Sequence, residues 1–322
     1  MRLKLVPQDT NFDFFKYAKA TFGASVVAMI LSIGIWLTMG LNFGIDFLGG
    51  TTIRTESTQA VDVGEYRAVL DPLGLGDVSI TEVFDPTFDE DQHVAMVRIQ
   101  AQEGAEAVTP ETITAVEEAL RGLDPEMTFP SVESVGPKVS GELIQTALLA
   151  VGAALAALLV YIWLRFEWQF SVGAIAALVH DIVLTIGVFS LLQIRFDLAT
   201  IAALLTIIGY SINDTVVIFD RLRENLIKYK QRALRDVMNL SANETLSRTL
   251  MTSGTTLIAL IALLVLGGDV IRGFVFAIFW GVIVGTYSSI YVAKNVVLMI
   301  GVKRDWSKPS SGGGTQFANI DA

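Results

Sequence analysis

Two carboxylates, Asp181 and Asp214, lie within apolar stretches of the sequence. A charged side chain in hydrocarbon costs about 3 kcal/mol on insertion scales, so carboxylates kept there usually have a function. A carboxyl group can take up a cation and release it, and we expect ion movement rather than covalent chemistry. The chain has no cysteine and only two histidines, His93 and His180, which excludes cysteine nucleophiles and histidine-cluster metal sites.

Asp214 lies in a group of polar residues within the predicted fourth span. If that span begins at Leu198, Asp214 is about 24 Å along a hydrocarbon core of about 30 Å. A lipid-facing helix has no use for such a group, so it is expected to face other helices or water. Its other members are Tyr210, Ser211, Asn213 and Thr215.

Arg248 is expected at the inner end of the fifth span, followed by hydroxyls that include Thr252 and Thr256. A carboxylate, an arginine and a row of hydroxyls could form an ion path in which Asp214 and Arg248 work together. Two other interpretations remain open. The pair could be a static contact between helices, or Arg248 could extend to the cytoplasmic headgroups.

Asp181 follows Phe170 by eleven residues, which places it about 16 Å deep, near mid-membrane. Adjacent residues do not share a helix face, so His180 is expected to point elsewhere, as a neutral ring bonded to another helix. Asp181 as part of a polar path and Asp181 as a structural residue are both open.

The elements that position these residues are six apolar stretches, each long enough to cross a bilayer. The net charge of −10 is unevenly distributed, since residues 51–141 hold eighteen acidic and five basic residues. This acidic balance argues against a nucleic-acid binder. The predicted spans are 20–41, 143–164, 169–193, 197–219, 250–268 and 273–296.

Lysine and arginine gather in segment 1–19, in the connection 220–249 and in segment 301–322. Positive residues mark cytoplasmic connections, so both termini are predicted to be cytoplasmic and the block 42–142 periplasmic. The connection 220–249 has apolar residues at helical spacing and is interpreted as an interfacial helix pair. Segment 301–322 is predicted to be disordered.

Within the acidic block the residue patterns predict the order βαββαβ. Strands are expected at 51–56, 78–84, 93–99 and 127–132, and helices at 61–70 and 110–121. Thr109 and Pro110 form a helix start, with threonine as the N-cap. The prediction is a small α+β domain of the ferredoxin-like type on a six-helix membrane protein.

A glycine-rich segment leaves the first span, with Gly44, Gly49 and Gly50 around Asp46. Glycine permits backbone angles that other residues avoid, so a tight exit from the membrane is expected. Asp46 is then a surface carboxylate near the interface.

Several of these segments together resemble the SecD/SecF family, which is related to the RND exporters. The longest is Ile208–Asn225, which is close to the fourth-span motif of SecF. Residues 40–51, 135–137, 177–181, 246–249 and 285–291 also resemble family motifs, in the right order. The single small loop favours the SecF type.

The resemblance implies a subunit of the bacterial inner membrane that pairs with SecD and associates with the SecYEG translocon and often YajC. Such a pair helps to draw unfolded preprotein out on the periplasmic side. The proton gradient, or sodium in some bacteria, supplies the energy, and no other cofactor is implied. Asp214 matches the family's ion-conducting carboxylate, and Arg248 matches the arginine that works with it.

Two alternatives belong to other classes. A passive scaffold of the translocon would tolerate Asp214→Asn. A small-molecule RND exporter would need much larger outer domains than a loop of this size provides. No phosphate-binding loop or nucleophile motif is present, so an enzymatic function is not expected.

Overall fold

The computed structural model of the protein describes residues 10–83, 88–89, 91–100 and 108–302. The first helix, α1 (Ala18–Met39), is followed by a two-residue strand, β1 (Asn42–Phe43), and one helical turn, α2 (Ile45–Leu48). The predicted disorder of 301–322 concerns residues that are almost all outside the described part of the chain.

Where it is described, the acidic block after α2 folds into four strands and two α-helices in the predicted order. All pairs in the four-stranded sheet are antiparallel, with the strand order β3-β4-β2-β5. Thr109 caps the second of the two helices by accepting from the Thr112 amide. The elements are β2 (Gly50–Ser57), α3 (Val63–Leu70), β3 (Val78–Val83), β4 (His93–Ile99), α4 (Pro110–Arg121) and β5 (Thr128–Val135).

One face of this sheet packs against α3 and α4 and forms the core of the domain. Side chains alternate across a strand, so Ala95, Val97 and Ile99 of β4 point into the core beside Ile53. The residues between them face away from the helices. This second, polar face lines a cleft of about 920 Å³ together with the ends of the membrane helices that lie next to the domain.

Six helices of the described chain are long and apolar enough to cross a membrane, as predicted. The sixth consists of two α-helices joined by a π-helical turn at Ser289–Ala293. A short strand, β6 (Arg195–Phe196), precedes the fourth span. After α1 the spanning elements are α5 (Pro137–Arg165), α6 (Trp168–Leu192), α7 (Leu198–Lys228), α8 (Leu234–Leu266) and α9 (Asp269–Ser288) with α10 (Lys294–Ile300).

The connection 220–249 differs from the expected pair of separate interfacial helices. It continues α7 to Lys228, turns, and starts α8 at Leu234. The fifth helix therefore begins sixteen residues before the predicted position 250. Apolar residues at helical spacing fit both arrangements, because a surface helix and a helix extension bury the same kind of stripe.

Candidate functional site

Asp181 lies at the centre of a hydrogen-bond network between α6, α7 and α9, and we call its carboxylate saturated because both of its oxygens have partners. Its side chain is 1% exposed. The hydroxyls of Ser211 and Ser288 donate to Oδ2 at 2.6 and 2.9 Å. His180 Nδ1 lies 3.0 Å from Oδ1. Three side chains from three helices thus hold one carboxylate, which joins the helices through a single buried group.

The contact between His180 and Asp181 corrects the expectation that His180 points elsewhere. Adjacent residues are about 100° apart around a helix, but both side chains are buried at the same interface. The His180 ring also stacks on Tyr287 of α9, with 6.1 Å between ring centroids. His180 is buried as predicted, but its contact to the neighbouring helix is a ring stack and not the predicted bond.

Asp214 is equally buried, at 3% exposed, but its surroundings are different. Its Oδ2 atom has no hydrogen-bond partner among the described residues. The Ser253 hydroxyl of α8 and the Arg248 guanidinium are the neighbouring groups that act on this carboxyl. Asp214 is therefore a buried carboxylate with free acceptor capacity inside a membrane helix.

A short row of hydroxyls begins beside Asp214. Ser253 Oγ lies 2.7 Å from Thr286 Oγ1 of α9. Tyr210 of α7 donates to Thr256 Oγ1 of α8 at 3.5 Å. Hydroxyls from α7, α8 and α9 thus lie close together near Asp214, and each of them can act as donor or acceptor.

Arg248 does not form an ion pair with Asp214 within 4.0 Å in the described part of the chain. Its side chain is exposed, whereas Asp214 is buried. The static ion pair considered from the sequence is therefore wrong for this conformation. Arg248 can still act on the carboxyl electrostatically over a longer distance.

The remaining sequence-predicted residues are divided between the bundle interior and its outer surface. Ser211 is buried but bonds to Asp181 rather than to the Asp214 group. Asn213 is exposed, which contradicts the expectation that the whole group faces inward. Thr252 is half-buried and donates to the carbonyls of Arg248 and Thr249 within its own helix.

Lys294 is a buried ionisable residue that the sequence analysis missed. Its side chain is fully buried, and Nζ has no hydrogen-bond partner among the described residues. The ammonium lies over the rings of Phe14 and Phe15, at 4.8 and 5.3 Å from their centroids. Its position within the predicted span 273–296 was the signal by which the sequence could have identified it.

Gly44 allows the chain leaving α1 to approach the start of α7. β1 pairs in parallel with β6, and the Gly44 amide donates to the Phe196 carbonyl at 2.8 Å. A Cβ atom at Gly44 would stand 3.2 Å from both Arg195 Nε and Asp197 Cβ. These contacts are tighter than ordinary van der Waals packing, so the approach favours glycine.

Asp46 is half-buried and bonded to the first amide of α7, whereas we expected a surface carboxylate. Its Oδ2 atom accepts from the Leu198 amide at 2.9 Å. A carboxylate is stabilised at a helix N-terminus by the free amides and the helix dipole. Gly49 and Gly50, with φ of 71° and 114°, then turn the chain into β2. We name residues 42–46, together with the residues 195–198 that they hold, the α7 clamp.

The described residues contain no group of three or more His, Cys, Asp or Glu side chains suited to a metal ion. The features that stand out are two buried carboxylates, one saturated and one with free capacity, in a bundle that carries a small sheet domain. These features define a multi-pass membrane protein whose polar site lies among its helices.

Comparison with known proteins identifies the family. Residues 115–303 match the family described as "Protein export membrane protein SecD/SecF, C-terminal", and residues 34–61 match the "SecD/SecF GG Motif". The chain is 70% identical to the protein translocase subunit SecF of Cereibacter sphaeroides, covering 100% of this chain and 99% of that one. It is 66% identical to SecF of Rhodobacter capsulatus, covering 95% and 94%. The chain belongs to the SecD/SecF family, as a SecF subunit of protein translocase.

The fold is similar to solved structures named SecDF. One is from Thermus and is described as a translocon-associated membrane protein, with a TM-score of 0.82 and 37% identity over 92% of this chain. A second, described as a super-membrane-facing form, has a TM-score of 0.67 and 38% identity over 91% of this chain. This chain spans 39% of the length of each of those chains.

Proposed function

We propose that this chain uses an ion gradient to drive the completion of preprotein translocation, and that Asp214 binds and releases the coupling ion. The observation that carries the proposal is the free acceptor capacity of Asp214 Oδ2 in a buried position. Burying a carboxylate without full pairing is costly. It is tolerated where a proton or Na⁺ completes the site during turnover.

The hydroxyls beside Asp214 support a path for the ion. Ser253 and Thr286 are within hydrogen-bond distance of each other, and Ser253 also acts on the Asp214 carboxyl. Hydroxyl groups can relay a proton or bind Na⁺, so the arrangement suits either ion. Uptake of a cation neutralises Asp214 and weakens the attraction of Arg248, which gives the bundle two states with different helix packing.

Asp181 has a supporting role in this proposal. Its three donors leave little capacity for an incoming ion. Ser211 lies one turn before Asp214 on α7 and bonds to Asp181. The Asp181 network therefore fixes the helix that carries the ion site.

The outer surface of the bundle supports pairing with SecD. Asn213 on α7 is exposed, and so are Arg248 and Thr255 on the adjacent helix α8. Polar side chains are costly against lipid. A second six-span half over α7 and α8 would cover them, as expected for a chain that spans 39% of the solved SecDF proteins.

The remaining parts of the proposal concern location and assembly. Positive residues place both termini in the cytoplasm of a bacterial inner membrane, with the sheet domain in the periplasm. The βαββαβ order and the strand order β3-β4-β2-β5 support a ferredoxin-like domain. SecYEG, YajC and unfolded preprotein are the proposed partners, and H⁺ or Na⁺ is the only cofactor.

The test is Asp214→Asn in inverted vesicles that contain the chain, SecD and the translocon, with ATP held constant. Preprotein completion is measured with the gradient present and with it collapsed. We expect the mutant to assemble normally and to lose only the gradient-dependent step, because asparagine cannot exchange a proton.

The matched control is Asp220→Asn, the same change at the exposed end of α7, where Asp220 pairs with Arg165 at 2.8 Å. It should keep gradient dependence. Full gradient dependence in Asp214→Asn would instead support the passive scaffold. A small-molecule exporter would show gradient-driven efflux in vesicles without translocon or preprotein.

A further inference from the structure

We propose that Asp46 is a positioning residue that couples α7 to the sheet domain, so that movement at the ion site reaches the domain through the α7 clamp. The inference rests on the proposed function and names the element that would transmit its motion. It requires continuous contact from Asp214 to the clamp, and from the clamp to the sheet.

The first link is α7 itself. It is one uninterrupted helix from Leu198 to Lys228, so Asp214 and the clamped amide lie on the same rigid element. Backbone hydrogen bonds hold such a helix at a fixed rise per residue. A shift or tilt of α7 caused by a change at Asp214 therefore displaces its first turn as well.

The second link joins the clamp to the domain. Asp46 lies four residues before β2, and β2 is paired on both sides, with β4 and β5. The Arg98 guanidinium of β4 donates to the Phe43 carbonyl of β1. Burial and the nearby Arg195 lower the pKa of Arg98. The clamp thus contacts the middle of the sheet.

The contacts within the α7 clamp are few and involve short segments, so we expect loss of the Asp46 contact to weaken the clamp. β1 and β6 pair over only two residues each. The rings of Phe43 and Phe47 pack on Phe196, each at 5.9 Å between centroids. Asp46 supplies the charged contact to the first amide of α7, while Arg195 of the clamp lies 4.0 Å from Glu133 of β5. The N-cap of α7, Asp197, accepts from the Thr200 amide and leaves the Leu198 amide to Asp46.

Three variants separate the coupling of α7 to the sheet domain from the stability of the domain itself. Asp46→Ala removes the acceptor, whereas Asp46→Asn keeps one, because asparagine and aspartate serve helix N-termini about equally well. Asp62→Ala is the matched control, since Asp62 caps α3 inside the domain by accepting from the Gly64 amide at 2.7 Å. It weakens the domain and leaves the clamp intact.

The readout is the distance between spin labels on Glu118→Cys in α4 and Leu191→Cys at the end of α6, both exposed. The chain has no other cysteine. We expect Asp214→Asn to shift this distance in the parent, Asp46→Asn and Asp62→Ala chains, and not in Asp46→Ala. Gradient-dependent export should fall at least about fivefold in Asp46→Ala, the lower end of typical coupling between sites, while ion uptake is retained.

Three outcomes overturn the inference. An unchanged shift in Asp46→Ala would show that the domain follows α7 by another route and would leave the proposed function standing. Equal loss of the shift in Asp46→Ala and Asp62→Ala would assign the effect to domain stability. If Asp214→Asn does not change the label distance in the parent chain, both the proposed role of the clamp and the domain motion that it would transmit are overturned.

Discussion

At the scale of single residues, two carboxylates with the same burial have opposite hydrogen bonding. Both oxygens of Asp181 have side-chain partners, whereas one oxygen of Asp214 has none among the described residues. A saturated carboxylate stabilises one arrangement of helices. An unsaturated one gains most when a cation arrives, so the difference in hydrogen bonding separates the structural residue from the proposed ion site.

Lys294 allows a test of the cost of a buried charge. Desolvation of an ammonium costs several kcal/mol, whereas a desolvated cation–π contact returns about 2 kcal/mol. We therefore expect Lys294→Met, which keeps the length and packing of the side chain, to raise the melting temperature of the detergent-solubilised protein.

The same variant should be measured for gradient-dependent export. A higher melting temperature with impaired export would show that the lysine is kept for function at the expense of stability. A lower melting temperature would contradict the prediction and would mean that the contacts with Phe14 and Phe15 outweigh desolvation. Lys16→Met, at an exposed position, is the control for the charge change alone.

At the scale of elements, close helix packing depends on particular glycines. A Cβ at Gly187 of α6 would overlap Ser32 of α1. No heavy atom lies within 4 Å of the position that a Cβ would take at Gly209 of α7, outside its own helix backbone and neighbours. Gly187 therefore sets the distance between α1 and α6, while Gly209 is not required for close helix packing among the described residues.

We expect Gly187→Ala to lower the melting temperature, because the two helices must separate. Gly209→Ala should leave it unchanged or raise it, since alanine is favoured over glycine in a helix by about 1 kcal/mol. Thermal unfolding of both variants in one detergent gives the comparison. Equal effects at the two positions would contradict this account of the α1–α6 contact.

The sequence was sufficient to predict the six spans, the order of the domain and the burial of Asp214, and insufficient for the contacts between distant elements. Apolar length and alternation are local signals, so the six spans and the order of the domain followed from them. The bond from Leu198 to Asp46 joins residues 152 positions apart. The position of Asn213 depends on how α7 is rotated, and nothing near it in the sequence reports that rotation.

At the scale of the whole molecule, the predicted orientation can be tested with the cysteine-free chain. We expect Glu118→Cys in the domain to react with a membrane-impermeant maleimide in intact spheroplasts. Glu224→Cys at the end of α7 should react only after the membrane is opened. Both positions are exposed, so accessibility of the side chain does not limit either reaction.

The reverse pattern would place the domain in the cytoplasm. It would remove the periplasmic part of the proposed function while leaving the assignment to the SecD/SecF family unchanged. Labelling of Asp62→Cys, also exposed, provides a second position on the domain.

The α7 clamp also has a consequence for the order in which the protein is made. All four strands of the sheet precede α5 in the chain, so they leave the ribosome before it does. β6, the partner of β1, emerges only after two further membrane helices. The sheet can therefore form while β1 is still unpaired, and we expect closing of the clamp to be a late assembly step that requires insertion of the fourth span.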